Sequence, residues 1–511
     1  MKFVQIYKSE QTLFAFIVHC LVSSCRSLII NLMHMKNFTF YLIFALIFLS
    51  ATVSAQWQQL GNTINDPDWT QLGDAVEISN SGDVIVVGEP AGNIPLYTGQ
   101  IEVFRLQNST WTVIGSPITG VNTDDGFGYA VACNHDATIV AGGAPYSDVN
   151  GANSGQVQVF KFESGSWSQM GADLNGETAS DKYGYAVSLS DDGNILAVGA
   201  RECSNTNGAQ AGRVYVYEYS GSDWVLKGTV IVGEDAGAQF GWSLSFSADG
   251  ARLAIGAPTY DDGASLNTGN VKVYEFSGGD WQLLGNSMIG GDYGDEFGTS
   301  VNINSAGDLV AVGSIDNSDI EMEAGMVGVF RLESGSWNQV GSNIYGETEN
   351  EGFGYTVSLD SLGATLAVGS ELMSSSASVR IFENQSDSWV ETDSVGGNVC
   401  SLNNPGTVAI TGASLGGQGT VRVFTTESTS SVYSVKTSDV KVYPNPTRDL
   451  VNISLESDAY VSVLDLQGNI ITEQKVQQNA TLSTASLKDG IYLLKIQTGN
   501  KIQTSRIVVL H

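Results

Sequence analysis

Phe127-Gly128-Tyr129-Ala130-Val131 opens the stretch that decides the fold, and fifteen residues beyond its glycine stands a second landmark, Gly143. The pair returns as Tyr183-Gly184 with Gly199, Phe240-Gly241 with Gly256, Phe297-Gly298 with Gly313, and Phe353-Gly354 with Gly369. The same interval joins Gly73 to Gly88 and Gly397 to Gly412, exposing two degenerate copies and bringing the count to seven. Each unit then continues through G-x-V-x-V and an aromatic, as from Gly155 to Phe160 and from Gly212 to Tyr217; the sixth has Ala377 for Gly. Seven residues past that aromatic comes a tryptophan, at 111, 167, 224, 281, 337 and 389. A period of about 56 residues repeated in this way signals stacked or radially arranged units.

Within a unit the apolar residues alternate with polar ones or run as short Val/Ile/Leu stretches bounded by Gly, Asp, Asn and Ser, which reads as strands. Turns such as Ser81-Gly82, Asp192-Gly193 and Asp249-Gly250 suit tight hairpins, because glycine supplies positive φ without steric cost. Four short strands in each of seven units predict an all-β, seven-bladed β-propeller of four-stranded blades. The ends fit closure of a ring. The tryptophan expected at 431 is Ser431, while an orphan W-x-x-x-G, Trp57 to Gly61, precedes the first unit. Trp57 to Gly61 is therefore expected to form the outer strand of the last blade, leaving no open edge; an open β-solenoid is the alternative.

Units of this kind resemble the FG-GAP repeat family, found in the integrin α-subunit propeller, and its bacterial branch in particular. The resemblance covers residues 57–424, with Ala144-Pro145 and Ala257-Pro258 preserving the family's Ala-Pro ending. Residues 425–438 hold nine Ser or Thr and read as a linker. Residues 439–511 read as a small Ig-like β-sandwich. Their Tyr443-Pro444-Asn445-Pro446, Asp465-Leu466-Gln467-Gly468 and Leu487-Lys488-Asp489-Gly490-Ile491-Tyr492 resemble the type A sorting domain of the type IX secretion system. That resemblance implies recognition by the secretion machinery and export across the outer membrane. Release or attachment to surface lipopolysaccharide would follow.

The start of the chain carries a matching address. Met35-Lys36-Asn37, the apolar run Phe38 to Leu49 and the small residues ending in Val53-Ser54-Ala55 follow the order of a secretory signal. Translation is expected to begin at Met35, with residues 1–55 dispensable and cleavage between Ala55 and Gln56. Twelve apolar residues are short for the ~20 that a membrane-spanning helix needs.

Chemistry is sparse. Over 511 residues, 54 acidic against 23 basic side chains give a formal charge of −31, which repels phosphate backbones and argues against nucleic acid. The integrin-type calcium loop is reduced here to a tight turn such as Ser190-Asp191-Asp192-Gly193-Asn194, too few oxygens for the six to eight that calcium prefers. No metal, cofactor or catalytic residue is therefore assigned. His135 is the single propeller histidine, no G-x-S-x-G elbow precedes a helix, and no H-E-x-x-H or C-x-x-C occurs. Cys133, Cys203 and Cys400 read as small buried hydrophobes, with one bridge among them left open. Acidic residues gather before each Phe-Gly: Asp124, Asp125, Asp181, Glu234, Asp235, Asp295, Glu296, Glu349 and Glu351. They form a candidate ligand rim on one face, to be weighed against a solvated surface that keeps the protein soluble. Trp242 reads as inter-blade core rather than a sugar-stacking platform, and Tyr146, Tyr260 and Tyr293 as weak sugar contacts. The expected role is a secreted or surface binding or adhesion protein for a polysaccharide or protein ligand. A propeller glycoside hydrolase or polysaccharide lyase, or a structural matrix protein, are the alternatives.

Overall fold

The computed structural model describes residues 56–426 and 441–509, apart from 67–69, 95, 264, 372–377, 414–418, 444–449, 455–458, 465–469, 477–479, 486, 489 and 499–500. The signal segment, most of the linker, Trp69, Ala377 and parts of the three C-terminal motifs lie outside the described residues. Within them the chain is all-β, without helix. It forms a β-propeller of antiparallel sheets, each built on a four-strand meander; in all but one of them a fifth, two-residue strand also pairs with the third. In the first sheet, Ala75–Ile78, Val84–Glu89, Gln100–Gln107 and Thr110–Val113 follow one another outward. The seventh sheet closes the circuit. Gln58–Gln59 pairs outside Thr420–Thr425, with Gln58 opposite Thr425 and Gln59 opposite Phe424. The expected role of the Trp57 segment is thus observed.

The repeated glycines are explained by contacts between neighbouring sheets. A β-carbon on Gly88 would lie 2.1 Å from the carbonyl oxygen of Gly128 in the next sheet. Gly143 meets Gly184 at 2.0 Å, and Gly412 of the seventh sheet meets Gly73 of the first at 2.1 Å. The fifteen-residue interval therefore separates two glycines that face opposite neighbours, and only hydrogen fits at either end. Between them the motif aromatics fill the inter-sheet core: Phe127, Tyr183, Phe297 and Phe353 are at most 2% exposed. Each such side chain contributes roughly 1.5–3 kcal/mol of burial.

W-x-x-x-G is a lock between outer edges. The Trp111 indole donates to the Leu60 carbonyl (2.8 Å), Trp224 to Met170 (2.7 Å), Trp281 to Lys227 (2.9 Å) and Trp337 to Leu284 (2.8 Å). Each acceptor immediately precedes the motif glycine of the preceding sheet, and that glycine leaves space for the incoming ring. A β-carbon on Gly61 would sit 2.8 Å from Trp111. At the closing seam Asp393 replaces the glycine, and its carboxylate accepts the Trp57 backbone N–H at 2.7 Å.

The innermost strands are tied by side chains that the repeat comparison passed over. Phe246 N–H donates to Ser188 Oγ (3.1 Å), Ile303 N–H to Ser245 Oγ (3.1 Å), Leu359 N–H to Asn302 Oδ1 (2.9 Å) and Leu402 N–H to Ser358 Oγ (2.9 Å). Across the closing seam Ser401 Oγ donates to Glu77 at 2.9 Å. The C-terminal residues form two further sheets, one of three strands and one of four, around a core that includes Val451, Val461, Val463 and Leu494.

Candidate ligand site

The structure divides the acidic loops into three groups. Asp125, Asp181, Asp295 and Glu351 stand two residues before the motif aromatic, and all four are buried. Their carboxylates turn inward as loop staples. Asp181 accepts the N–H groups of Glu177 (3.1 Å) and Thr178 (2.7 Å), and Asp295 those of Gly291 (3.0 Å) and Asp292 (2.8 Å). Glu351 accepts from Glu347 (2.6 Å) and Thr348 (3.1 Å), and Asp125 from the Asn122 amide at 3.0 Å. These four do not belong to a ligand rim. The correction has a simple cause: clustered backbone donors at a tight turn need an acceptor, and a carboxylate two residues from a buried ring is held inside.

Glu234, by contrast, is exposed but forms an ion pair with Lys272 of the sheet that its loop leads into. Glu177 pairs with Arg213 (3.0 Å) and Glu347 with Arg380 (3.2 Å) in the same manner. Asp124, Asp235 and Glu349 are exposed at the loop tips. Glu296 is half-buried, and burial, with Asp316 and Glu371 nearby, pushes its carboxyl up to about 7. The staple is testable: Asp181→Ala is expected to cost about 1–3 kcal/mol, because two part-buried N–H groups lose the buried carboxylate that accepts them. Chemical denaturation of D181A beside D235A, which should stay near wild type, checks it.

The seven inner strands enclose an axial cavity of about 400 Å³, within the range of small-ligand pockets. At its mouth stand the residues that follow the Phe-Gly motif. Tyr129, Tyr185 and Trp242, from consecutive sheets, form a contiguous aromatic arc, with centroids 5.1 Å and 5.3 Å apart. Arg201, from the loop after Ile195–Ala200, lies over Tyr185 (3.9 Å) and Trp242 (4.2 Å) and is braced by Glu202 at 3.0 Å. Tyr146 meets Tyr129 edge-on at 5.7 Å and carries Lys182 4.1 Å from its ring centroid. Asp74, Thr299 and Tyr355 line the rest of the mouth. Tyr355 is 38% exposed, and burial of its hydroxyl, with Asp74 and Tyr185 next in effect, raises its pKa to about 12.

Trp242 is therefore half-buried in the channel wall rather than inter-blade core. Tyr146 contributes to the mouth, Tyr293 is a loop-tip residue 73% exposed, and Tyr260 is half-buried. His135 sits at a turn far along the inner strand, its Nδ1 2.8 Å from the Asp191 carbonyl oxygen. The cysteines at 133, 203 and 400 are free thiols. No group of three or more His, Cys, Asp or Glu that could hold a metal occurs among the described residues.

Two unusual carboxyls mark the first sheet. Glu77 lines the channel where other sheets present Ser, Asn or Ala, and burial pushes it up to about 7 despite the Ser401 hydrogen bond. Glu89 is 3% exposed, accepts from Gln100 at 2.8 Å, and is raised to about 7 by burial and by Glu102. Between pH 4.5 and 7 the folded chain keeps protons on Glu77, Glu89 and Glu296 that the unfolded chain has released. Stability therefore falls as pH rises through that window. Melting temperature is expected to be several degrees higher at pH 5.5 than at pH 7.5, and calorimetry in matched ionic strength reads it directly.

Comparison with known proteins agrees with this architecture. The FG-GAP repeat family matches residues 175–217, and the secretion system C-terminal sorting domain matches residues 441–510. No curated protein matches the chain. Among solved structures, the Cps50 (Swd1) β-propeller domain of Myceliophteria thermophila is similar at 11% identity and a TM-score of 0.49, covering 72% of this chain and 98% of that one. A putative 6-phosphogluconolactonase from Bacteroides uniformis is similar at 10% identity and a TM-score of 0.47, covering 79% and 99%. The periplasmic gluconolactonase PpgL of Pseudomonas aeruginosa follows at 17% and 0.44, covering 63% and 84%. Likenesses this distant carry no activity across. The chain is a β-propeller protein with an FG-GAP repeat and a C-terminal type IX secretion sorting domain, secreted or held at the outer cell surface.

Proposed function

We propose that residues 56–424 form a seven-bladed propeller acting as a binding or adhesion module for a polysaccharide. A linker at 425–438 would join it to an Ig-like sorting domain at 439–511 that engages the type IX machinery. The signal segment 1–55 would be removed after Ala55. The observation that carries the binding role is the mouth of the axial cavity. There an aromatic arc of Tyr129, Tyr185 and Trp242 is flanked by Asp74 and Thr299 at the entrance to a cavity of about 400 Å³. Aromatic faces stack on the C–H surfaces of pyranoses, and short polar side chains bond their hydroxyls. The seven-blade reading is supported by seven sheets in mutual contact, the last returning to the first.

Binding of the secreted chain to arrays of neutral, amino-bearing and acidic polysaccharides, with and without chelator, tests the proposal. Saturable binding to one class is expected, weakened about tenfold (~1.4 kcal/mol) in Trp242→Ala and Tyr355→Ala. Binding that neither substitution changes would move the ligand away from the mouth. One observation favours a second reading. Glu89 and Glu102, with Asp66, line a pocket of about 290 Å³ where the first sheet meets the closing strand. Burial raises both Glu89 and Glu102, and a carboxyl pair that can hold a proton is the apparatus of glycoside hydrolysis. Release of sugar fragments, abolished in Glu89→Gln, would favour the enzyme.

A further inference from the structure

We propose that the axial channel is a receptor for the ammonium group of an amino sugar, with Glu77 as the counter-ion. This rests on the polysaccharide reading above and names the class of sugar. Along the inner strands the position of Glu77 is occupied in the other sheets by Ala132, Ser188, Ser245, Asn302, Ser358 and Ser401. The hydroxyls of Ser188, Ser245 and Ser358 and the Asn302 carbonyl oxygen are spent on backbone N–H groups of the next sheet. Glu77 departs from that pattern: among the described residues its carboxyl meets the Ser401 hydroxyl and the backbone N–H of Ile78 in its own strand. It places an ionisable oxygen pair in the wall of the cavity.

The lining supplies no cation to answer it. Among the described residues around the cavity are four carboxylates, Asp74, Glu77, Asp191 and Asp360, and no Lys, Arg or His. Arg201 is held outside, on the aromatic faces and against Glu202. A half-buried carboxylate without a basic neighbour is costly to ionise, and a ligand cation that pairs with it removes that cost. A bare divalent metal does not fit, since one carboxylate falls far short of the oxygens it requires. An ammonium needs one counter-ion and hydroxyl acceptors around it, and each belt serine that accepts one backbone N–H keeps a second lone pair for this. The aromatic mouth orders the approach: a sugar ring stacks at the entrance while its amino group reaches inward.

Titration calorimetry of the secreted chain with a glucosamine tetramer and with an N-acetylglucosamine tetramer tests this at pH 6.5, where pairing with the ammonium draws off the proton that unliganded Glu77 holds. The amine form is expected to bind at least tenfold more tightly. Both Glu77→Gln and Glu77→Ser are expected to abolish that preference while leaving the acetylated sugar unchanged. Glu77→Ser installs the residue found at this position in four other sheets, so the fold is preserved, and a melting curve verifies it. Equal binding of the two tetramers, or full preference retained in both variants, would overturn the proposal. If the array finds a different glycan whose binding needs Trp242, the amino-sugar assignment fails and the polysaccharide reading stands. If no glycan binds at all, both fail.

Discussion

Removal of residues 57–65 is expected to leave a chain that is secreted poorly, aggregates, and lacks a cooperative melting transition. The loss is large because one short segment performs three tasks. Gln58–Gln59 and Ile64–Asn65 cover the outer edge of Thr420–Thr425, which would otherwise offer unpaired N–H and C=O groups for association. Trp57, 8% exposed, packs into a cluster with Val379, Ile381, Cys400 and Ala409. Leu60 presents the carbonyl that receives the Trp111 indole. A restored transition on adding back a synthetic peptide of residues 56–66 would show that the edge is the cause. An undiminished transition in the truncated chain would refute the closure.

Gly256→Ala is expected to be nearly as damaging, although it adds one methyl group. That carbon would lie 2.1 Å from the Gly298 carbonyl oxygen and 2.3 Å from Ser243 Oγ. Both obstacles belong to inner strands already fixed by neighbouring sheets, so the backbone has nowhere to retreat. A loss above about 4 kcal/mol is expected, the range reserved for severe core disruption. Gly291→Ala is the control: its β-carbon would meet a single atom, Asp295 Oδ2, at 3.5 Å, and its stability should stay within about 0.5 kcal/mol of wild type. Denaturant midpoints of the two variants separate packing from glycine content.

The repeated landmarks were legible because each is a backbone constraint that every sheet must satisfy. A glycine whose β-carbon would lie 1.9–2.1 Å from a carbonyl of the next sheet tolerates no drift, so its spacing survives where side chains vary. The tryptophans were legible for the same reason: Trp111, Trp167, Trp224, Trp281 and Trp337 each reach one carbonyl of the preceding sheet, whereas the buried Trp389 indole N–H meets no acceptor. The acidic loops were misread through neglect of that logic. Asp125, Asp181, Asp295 and Glu351 recur at one fixed offset from the aromatic, and recurrence there marks a structural duty just as it does for tryptophan. Trp242 was misread in the opposite sense. The position after the motif glycine holds Asp74, Tyr129, Tyr185, Trp242, Thr299, Tyr355 and Asn398 in turn. Such variation inside an otherwise regular strand is the sign of a position released from packing, and it points to the mouth. Glu77 was invisible because one polar residue in an alternating strand looks like any other until the channel is seen.

The antiparallel register of Gln58 against Thr425 also governs how the protein bears mechanical load. For a molecule held at a cell surface by its C-terminal end, tension from a captured ligand leaves the propeller through Thr425. That strand lies between Val408–Ala413 on one side and the two-residue Gln58–Gln59 and Ile64–Asn65 segments on the other. Force that enters at the mouth through Tyr129, Tyr185 and Trp242 thus leaves through a single sheet. The segment that completes the ring is also its weakest grip, so peeling at this seam sets the rupture force of the whole tether.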